Sequence, residues 1–114
     1  MASNPTSIAM HSMIAMIDVA REFLNDPNIG AQQLVIFAHV ADRREMPQSD
    51  LQGLVSVTQP TVAKHISRLM RDYHVLENFE ESGDHRRKLV RLTSRGHDLA
   101  AAMTKAARRY LREA

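Results

Sequence analysis

Cysteine and tryptophan are both missing from this sequence, and aromatic residues make up only 4% of it. Without cysteine the chain has no disulfide, no thiolate metal site and no thiol nucleophile. Its apolar runs are a few residues long, far short of the ~20 residues that cross a bilayer. No basic region followed by an apolar stretch and a cleavage site opens the chain. We therefore expect a cytoplasmic protein with no membrane partner.

The charge of the chain is distributed unevenly between its two halves. The whole has 114 residues and a net charge of +2, and its 44% hydrophobic content is typical of a folded protein. Residues 1–57 carry 3 basic and 6 acidic side chains, whereas residues 58–114 carry 12 basic and 7 acidic ones. Its length fits a single domain over 1–114, and the second half is the part to test for a polyanionic partner.

The titratable side chains show no catalytic or metal-binding pattern. Six histidines occur, but no two lie three or four residues apart, as two zinc ligands on one helix do. No serine has a histidine and a carboxylate in a recognisable catalytic motif. We therefore expect no enzymatic activity, no metal and no cofactor, and we interpret His39 as a hydrogen-bonded core residue.

Hydrophobic periodicity predicts five helices and two strands. The expected ranges, in the order helix, helix, helix, helix, strand, strand, helix, are 5–24, 30–43, 47–55, 59–73, 75–80, 88–92 and 94–113. The helix over 30–43 is apolar almost all round, which predicts burial on every side. Thr58 and Thr93 are expected to cap the helices that follow them, and Met46 could add one residue to a small sheet. In the short third helix, Leu51, Leu54 and Val55 are expected to face inward.

Two short helices joined by a turn at Ser56 and Val57, and followed by a hairpin, predict a winged helix-turn-helix over 47–92. In the second helix the apolar residues Val62, Ile66 and Leu69 anchor one face. The other face carries the candidate DNA-contacting residues Thr58, Gln59, Pro60, Thr61, Lys64, His65 and Arg68. Gln59 suits an adenine edge, Lys64 suits guanine or phosphate, and Arg68 lies where a phosphate is expected.

A basic cluster marks the expected tip of the hairpin, which we place at residues 81–87. The candidate wing residues are Asp84, His85, Arg86, Arg87 and Lys88. Three permanent cations beside a turn could place one side chain in a DNA minor groove. The carboxylate of Asp84, two residues before Arg86, could hold the guanidinium in one orientation.

From Met46 to Leu99 the sequence resembles the MarR family of transcription regulators. That family's wing pattern, D-x-R followed by an apolar strand and then L-T-x-x-G, reads here as Asp84-His85-Arg86 and Leu92-Thr93-Ser94-Arg95-Gly96. The resemblance implies that Arg86 enters the minor groove and that the helix starting at Gln59 reads bases. This sequence departs from the family at His74 and Ser56, where glycine is usual, and at Gln52, where a small residue is common.

The terminal helices carry apolar stripes that we expect another protein surface to cover. The residues expected at a dimer interface are Met10, Met13, Ile14, Ile17, Leu99, Met103, Ala106 and Tyr110. Pairing of the two stripes across a two-fold axis would cover both, and the MarR resemblance likewise implies a homodimer joined through its terminal helices. The methionines of the first helix are interpreted as packing residues, since methionine commonly fills gaps between helices.

These observations predict a mainly α fold: a winged helix-turn-helix with a small β-hairpin wing, flanked by dimerisation helices at 5–24 and 94–113. The expected function is that of a dimeric, sequence-specific regulator of transcription that binds double-stranded DNA and represses by promoter occlusion. Two alternatives stay open. One is a winged-helix DNA-binding protein of replication or plasmid partition, and the other is a winged-helix adaptor that binds protein. The sequence does not identify a small-molecule effector.

Overall fold

The computed structural model describes residues 4–55, 57–81 and 84–111, and for residues 81 and 84–87 it describes the backbone alone. The chain divides into two compact units. One unit contains Met1–Ile29 and Asp98–Ala114, and the other contains Gly30–His97. The predicted helix-turn-helix and wing therefore lie within the second unit. The expectation of one domain over 1–114 stays a prediction.

Five helices and three strands make up the described chain. Their bounds are α1 Pro5–Phe23, α2 Ala31–Arg43, β1 Glu45–Pro47, α3 Gln48–Leu54, α4 Gln59–Arg71, β2 Leu76–Glu81, β3 Asp84–Leu92 and α5 Ser94–Leu111. The helical ranges agree with the periodicity to within two residues at the described ends. Met46 lies at the centre of β1, so the expected sheet residue is part of a third strand.

In the first unit, α1 begins with a side-chain cap and contacts the C-terminal part of α5. The Asn4 side chain accepts a hydrogen bond from the Ser7 amide at 2.7 Å, and Pro5 follows at the first helical position, where its missing N–H costs nothing. The rings of His11 and Tyr110 stack with their centroids 5.6 Å apart. The His11 ring is also held from its own helix, where Nδ1 donates to the Ser7 carbonyl oxygen at 2.8 Å.

The second unit packs three helices and the sheet around one apolar core. Its sheet has the order β1-β3-β2, and both pairings are antiparallel. Helix α2 packs against α4, β1 and β3, and α3 contacts α4 and the same two strands. The fully buried residues of this core include Ile36, Phe37, Val40, Leu51, Ile66, Leu69, Val75, Leu76 and Val90. Val90 and Leu92 face the core, as the alternation of β3 predicted.

Helix α2 is not buried on every side, which corrects the expectation for an all-round apolar helix. Val35 is 42% exposed, because the neighbours of α2 in this unit cover only the side that carries Ile36, Phe37 and Val40. His39 is half-buried and accepts a hydrogen bond from the exposed side chain of Arg43 at 3.3 Å. The interpretation of His39 as a core residue is therefore wrong.

Two further expectations about buried residues and turns are corrected. Leu54 is 39% exposed, because it ends α3 beside an open depression of about 430 Å³ that it lines with Arg43 and Asp50. The hairpin tip does not extend over seven residues, because β3 begins at Asp84, which pairs with Glu81. Backbone hydrogen bonds form a strand whether or not apolar and polar residues alternate. The charged residues before Lys88 show no such alternation, so the sequence did not predict this part of β3.

The chain after α4 returns through a left-handed residue to meet the start of α5. His74 has a φ of 58°, a conformation that glycine adopts without cost. Its carbonyl oxygen accepts from the Thr93 hydroxyl at 2.6 Å. Thr93 also caps α5 as predicted, since its hydroxyl oxygen accepts from the Gly96 amide at 3.0 Å. One side chain thus joins the end of α4 to the beginning of α5.

Candidate nucleic-acid interface

Helix α4 has one buried face and one exposed polar face. Val62, Ile66 and Leu69 are buried, and Tyr73 beyond the helix end is buried with them. Pro60 and Lys64 are exposed on the opposite side of the first two turns, Thr61 beside them is half-buried, and Gln59 is exposed at the first residue of the helix. The structure therefore places most of the predicted recognition residues on the N-terminal half of α4, which is the part of a recognition helix that meets base edges.

The turn before α4 is held by Gln52, one of the residues that depart from the MarR pattern. The Gln52 side-chain amide donates to the Val57 carbonyl oxygen at 2.6 Å, so α3 is tied to the segment that leads into α4. Thr58 occupies the cap position of α4 but makes no side-chain cap bond. Its hydroxyl lies 3.0 Å from the Thr61 hydroxyl instead. The expected cap at Thr58 is thus correct in position and wrong in its hydrogen bond.

Lys64 and Arg68 differ in how much of their charge is already paired. Within the described part of the chain, Lys64 is exposed and has no acidic partner. Arg68 donates to the Asp72 carboxylate and to the Tyr73 hydroxyl, both at 3.3 Å, and its guanidinium lies 5.7 Å from the Tyr73 ring centre. A phosphate at Arg68 would compete with Asp72, whereas Lys64 offers its charge without competition.

His65 is less exposed than the sequence suggested, and it contacts helix α2. Its Nδ1 atom accepts a hydrogen bond at 3.3 Å from the side-chain amide of Gln33, a buried residue of α2. Burial lowers the pKa of His65, and the positive charges of Arg68 and Lys64 lower this pKa further. The ring is therefore neutral near pH 7. Sequence reasoning missed Gln33, although a glutamine next to the apolar residues of α2 was a visible signal.

The predicted wing residues are only partly described. The side chains of Asp84, His85, Arg86 and Arg87 lie outside the described residues, so their expected contacts stay predictions. Lys88 is exposed, and its backbone lies opposite Glu80 in the register of β2 and β3. The backbone places Asp84 through Lys88 on β3, which continues directly into the core of the second unit at Val90.

The outer face of the sheet carries a cluster that braces the base of the wing. The Arg91 guanidinium lies 4.3 Å from the Phe79 ring centre, and its Nε donates to the Glu77 carboxylate at 3.0 Å. Leu89, opposite Phe79 on β2 and Pro47 on β1, is buried although it faces away from the main core. These contacts join all three strands below the hairpin tip, and the charge of Arg91 is engaged there.

The expected dimerisation residues fall into two groups. Met10, Met13 and Ile14 are between 45% and 51% exposed, and their spacing places them on one face of α1. Ile17, Met103, Ala106 and Tyr110 are half-buried, and Tyr110 is stacked on His11 of its own chain. Leu99 is fully buried within the chain, so its assignment to an interface between chains is wrong.

The described residues form neither a metal site nor a membrane span. Among residues 4–55, 57–81 and 84–111, no three histidine or acidic side chains lie together in a group that could hold a metal ion. The helices in the described ranges also include none with the length and apolar character that a bilayer crossing requires.

The architecture is shared with solved structures of MarR-type regulators. A mutant of MepR from Staphylococcus aureus superimposes with a TM-score of 0.69 at 24% identity, covering 88% of this chain and 70% of that one. A mutant of MarR from E. coli, solved with operator DNA, gives a TM-score of 0.62 at 18% identity and covers 89% and 71% of the two chains. The transcriptional regulator PcaV from Streptomyces coelicolor gives 0.62 at 20%, with 95% and 78% covered.

These likenesses establish the fold. The chain is a mainly helical, MarR-like winged helix, and the resemblance inferred from its sequence is confirmed at that level. No family model and no curated protein matches the sequence.

Proposed function

We propose that this protein is a dimeric, sequence-specific regulator of transcription that binds double-stranded DNA. The observation that carries the proposal is the polar row Gln59, Thr61 and Lys64 on the first turns of α4, a helix whose apolar residues are buried in the core of a winged helix. A rigid helix with that row matches the width and the hydrogen-bonding pattern of a major groove. MarR from E. coli, which has the same architecture, was solved with operator DNA.

Dimer formation is part of the proposal. The exposed face of Met10, Met13 and Ile14 places three large apolar side chains side by side on α1, an arrangement that marks an interaction surface on a folded protein. A second copy of the chain would cover this face and supply a second recognition helix. The two helices would then enter successive major grooves about 34–36 Å apart. Repression would follow from occlusion of the promoter.

Enrichment of bound duplexes from a random library at ~150 mM salt tests the proposal, since non-specific binding is weak at that ionic strength. We expect a single inverted repeat whose half-sites are about 10 base pairs apart. Tandem or unphased sites would favour a role in replication or plasmid partition. Absence of enrichment with folded protein would contradict DNA recognition and favour the adaptor.

Substitution of Lys64 separates specific from general contacts. Lys64→Ala should weaken binding and reduce the slope of log affinity against log salt by about 1 if the ammonium meets a phosphate. Gln59→Ala should instead change the preference among sequences, because its amide suits base edges. Lys105→Ala, an equal loss of charge at an exposed position of α5, is the control and should change neither. Equal losses from Lys64→Ala and Gln59→Ala on every duplex would contradict this division.

A further inference from the structure

The hydrogen bond between Gln33 and His65 joins the Gln33 amide nitrogen to Nδ1 of the His65 ring at 3.3 Å. An amide nitrogen carries two hydrogens and cannot accept, so in this orientation of the amide Nδ1 of His65 is the acceptor. In the neutral ring only one nitrogen carries a proton. With Nδ1 accepting, that proton lies on Nε2, and the free nitrogen of His65 is a hydrogen-bond donor.

Gln33 makes this contact from a buried position. It is 3% exposed, on the side of α2 that packs against α4. Its Oε1 atom has no hydrogen-bond partner among the described residues, so the contact with His65 is the one described side-chain bond that this buried amide makes. Loss of that bond would leave the whole buried amide unpaired, which is costly in a protein interior.

The charged groups acting on His65 keep the ring neutral. Lys64 and Arg68 lie on its own helix, and both oppose a third positive charge. Helix α2 contributes the uncharged Gln33 at the contact. Burial acts in the same direction by penalising the charged ring, and together these effects lower the pKa of His65.

We propose that Gln33 is a positioning residue that fixes His65 as a donor through Nε2, so that α4 favours guanine over cytosine at one position of each half-site. Guanine presents two acceptors in the major groove, O6 and N7, whereas cytosine presents an amino donor that would oppose another donor. This inference rests on the proposed DNA-binding function. It adds a specificity determinant on α2, a helix outside the helix-turn-helix.

The protonation of His65 can be measured in the free wild-type protein, without DNA. Long-range 1H–15N NMR distinguishes a protonated ring nitrogen from an unprotonated one. At pH 7.5 we expect Nδ1 of His65 to be unprotonated and Nε2 to carry the proton. A neutral ring with its proton on Nδ1 would overturn the inference, whether or not the protein binds DNA.

Gln33→Met tests the positioning effect, since methionine has a similar volume and no amide. We expect the His65 ring to shift towards a mixture of the two neutral forms. The preference for guanine at one position should decline, and affinity for the best duplex should decrease about 5-fold, the usual effect of losing one hydrogen bond. The matched control is Gln32→Met, which removes the neighbouring glutamine of α2, whose Oε1 is also buried and unpaired among the described residues.

The two variants together separate positioning from stability. If Gln33→Met alters the base preference and the His65 signals while Gln32→Met alters neither at equal thermal stability, the inference holds. If Gln33→Met lowers affinity equally for all duplexes and leaves the His65 signals unchanged, its role is only structural and the inference fails. Absence of DNA binding by the wild type, with Nε2 protonated, would refute the proposed function instead.

Discussion

Positions that depart from the MarR pattern show how this chain builds the same fold with different side chains. Gln52, where a small residue is common, reaches the Val57 carbonyl oxygen and holds the turn before α4. His74, where glycine is usual, adopts the left-handed backbone with φ of 58°. The first substitution adds a hydrogen bond, whereas the second retains a backbone conformation that costs a residue with a Cβ atom roughly 1 kcal/mol or more.

Replacing His74 should therefore stabilise the protein. His74→Gly is expected to raise the free energy of unfolding by about 1 kcal/mol, because glycine adopts positive φ without the Cβ penalty. The bond from Thr93 is retained, since it uses the backbone carbonyl of residue 74. Urea unfolding measures the change. His97→Gly, on an exposed turn of α5, is the control and should lower stability by about 0.5 kcal/mol. A loss of stability in His74→Gly would contradict the explanation that the positive φ strains the backbone at His74.

The lowered pKa of His65 makes stability depend on pH. The unfolded chain has a histidine pKa of about 6.5, and the folded value is lower. The unfolded chain therefore takes up the proton at a higher pH than the folded protein does. As the pH falls from 7.5 through 6.5 and the folded pKa, the free energy of unfolding should decrease. Urea unfolding at pH 7.5 and 5.5 measures this decrease, and His65→Gln should show a smaller one. Identical pH dependence in both proteins would exclude the effect.

Among the elements, helices were easier to predict than the hairpin. The helices of the second unit carry apolar residues at spacings of three and four, and such a pattern indicates both the helix and its buried side. The start of β3 carries charged residues from Asp84 to Lys88, and no alternation marks them as a strand. Their pairing follows from the continuation of the backbone ladder out of the core, beyond the braced cluster of Arg91 and Phe79.

The junction between β3 and α5 depends on a close approach at Gly96. A Cβ atom there would overlap the Val75 carbonyl oxygen and lie 3.2 Å from the Leu92 Cβ. Gly96→Ala is therefore expected to destabilise the protein by about 2 kcal/mol in urea unfolding. Gly53→Ala is the matched control, because its Cβ would meet no atom within 4 Å on helix α3. This control should raise stability by about 0.5–1 kcal/mol. Equal effects would contradict the steric explanation.

At the scale of the whole molecule, the main feature is the apolar face of α1, which a single chain leaves exposed to solvent. Met10, Met13 and Ile14 are each at least 45% exposed, whereas the comparable stripe of α4 at Val62, Ile66 and Leu69 is buried. Exposure of this kind costs solubility, and a second copy of the chain would remove it. The proposed dimer and the proposed DNA binding are therefore linked, because an inverted repeat requires two recognition helices.

A charge on this face should dissociate the proposed dimer. Ile14→Lys would bury an unpaired ammonium at the interface, and we expect the dissociation constant to increase on the order of 100-fold. Sedimentation equilibrium measures this change. Val35→Lys, at a similarly exposed apolar residue of α2, is the control and should leave the dimer intact. A wild-type protein that stays monomeric at high concentration would refute the proposed dimer.

The sequence by itself determined the order and type of the helices, the MarR-like fold and the polar row of α4. These properties depend on spacings of three and four residues and on caps such as Asn4 and Thr93, and such signals are local. The tertiary structure decided which apolar residues are covered: Leu99 is buried, and Leu54 and Val35 are exposed. It also joined His65 to Gln33, 32 residues earlier in the chain. A local pattern carries no information about such a contact, because packing between distant elements determines it.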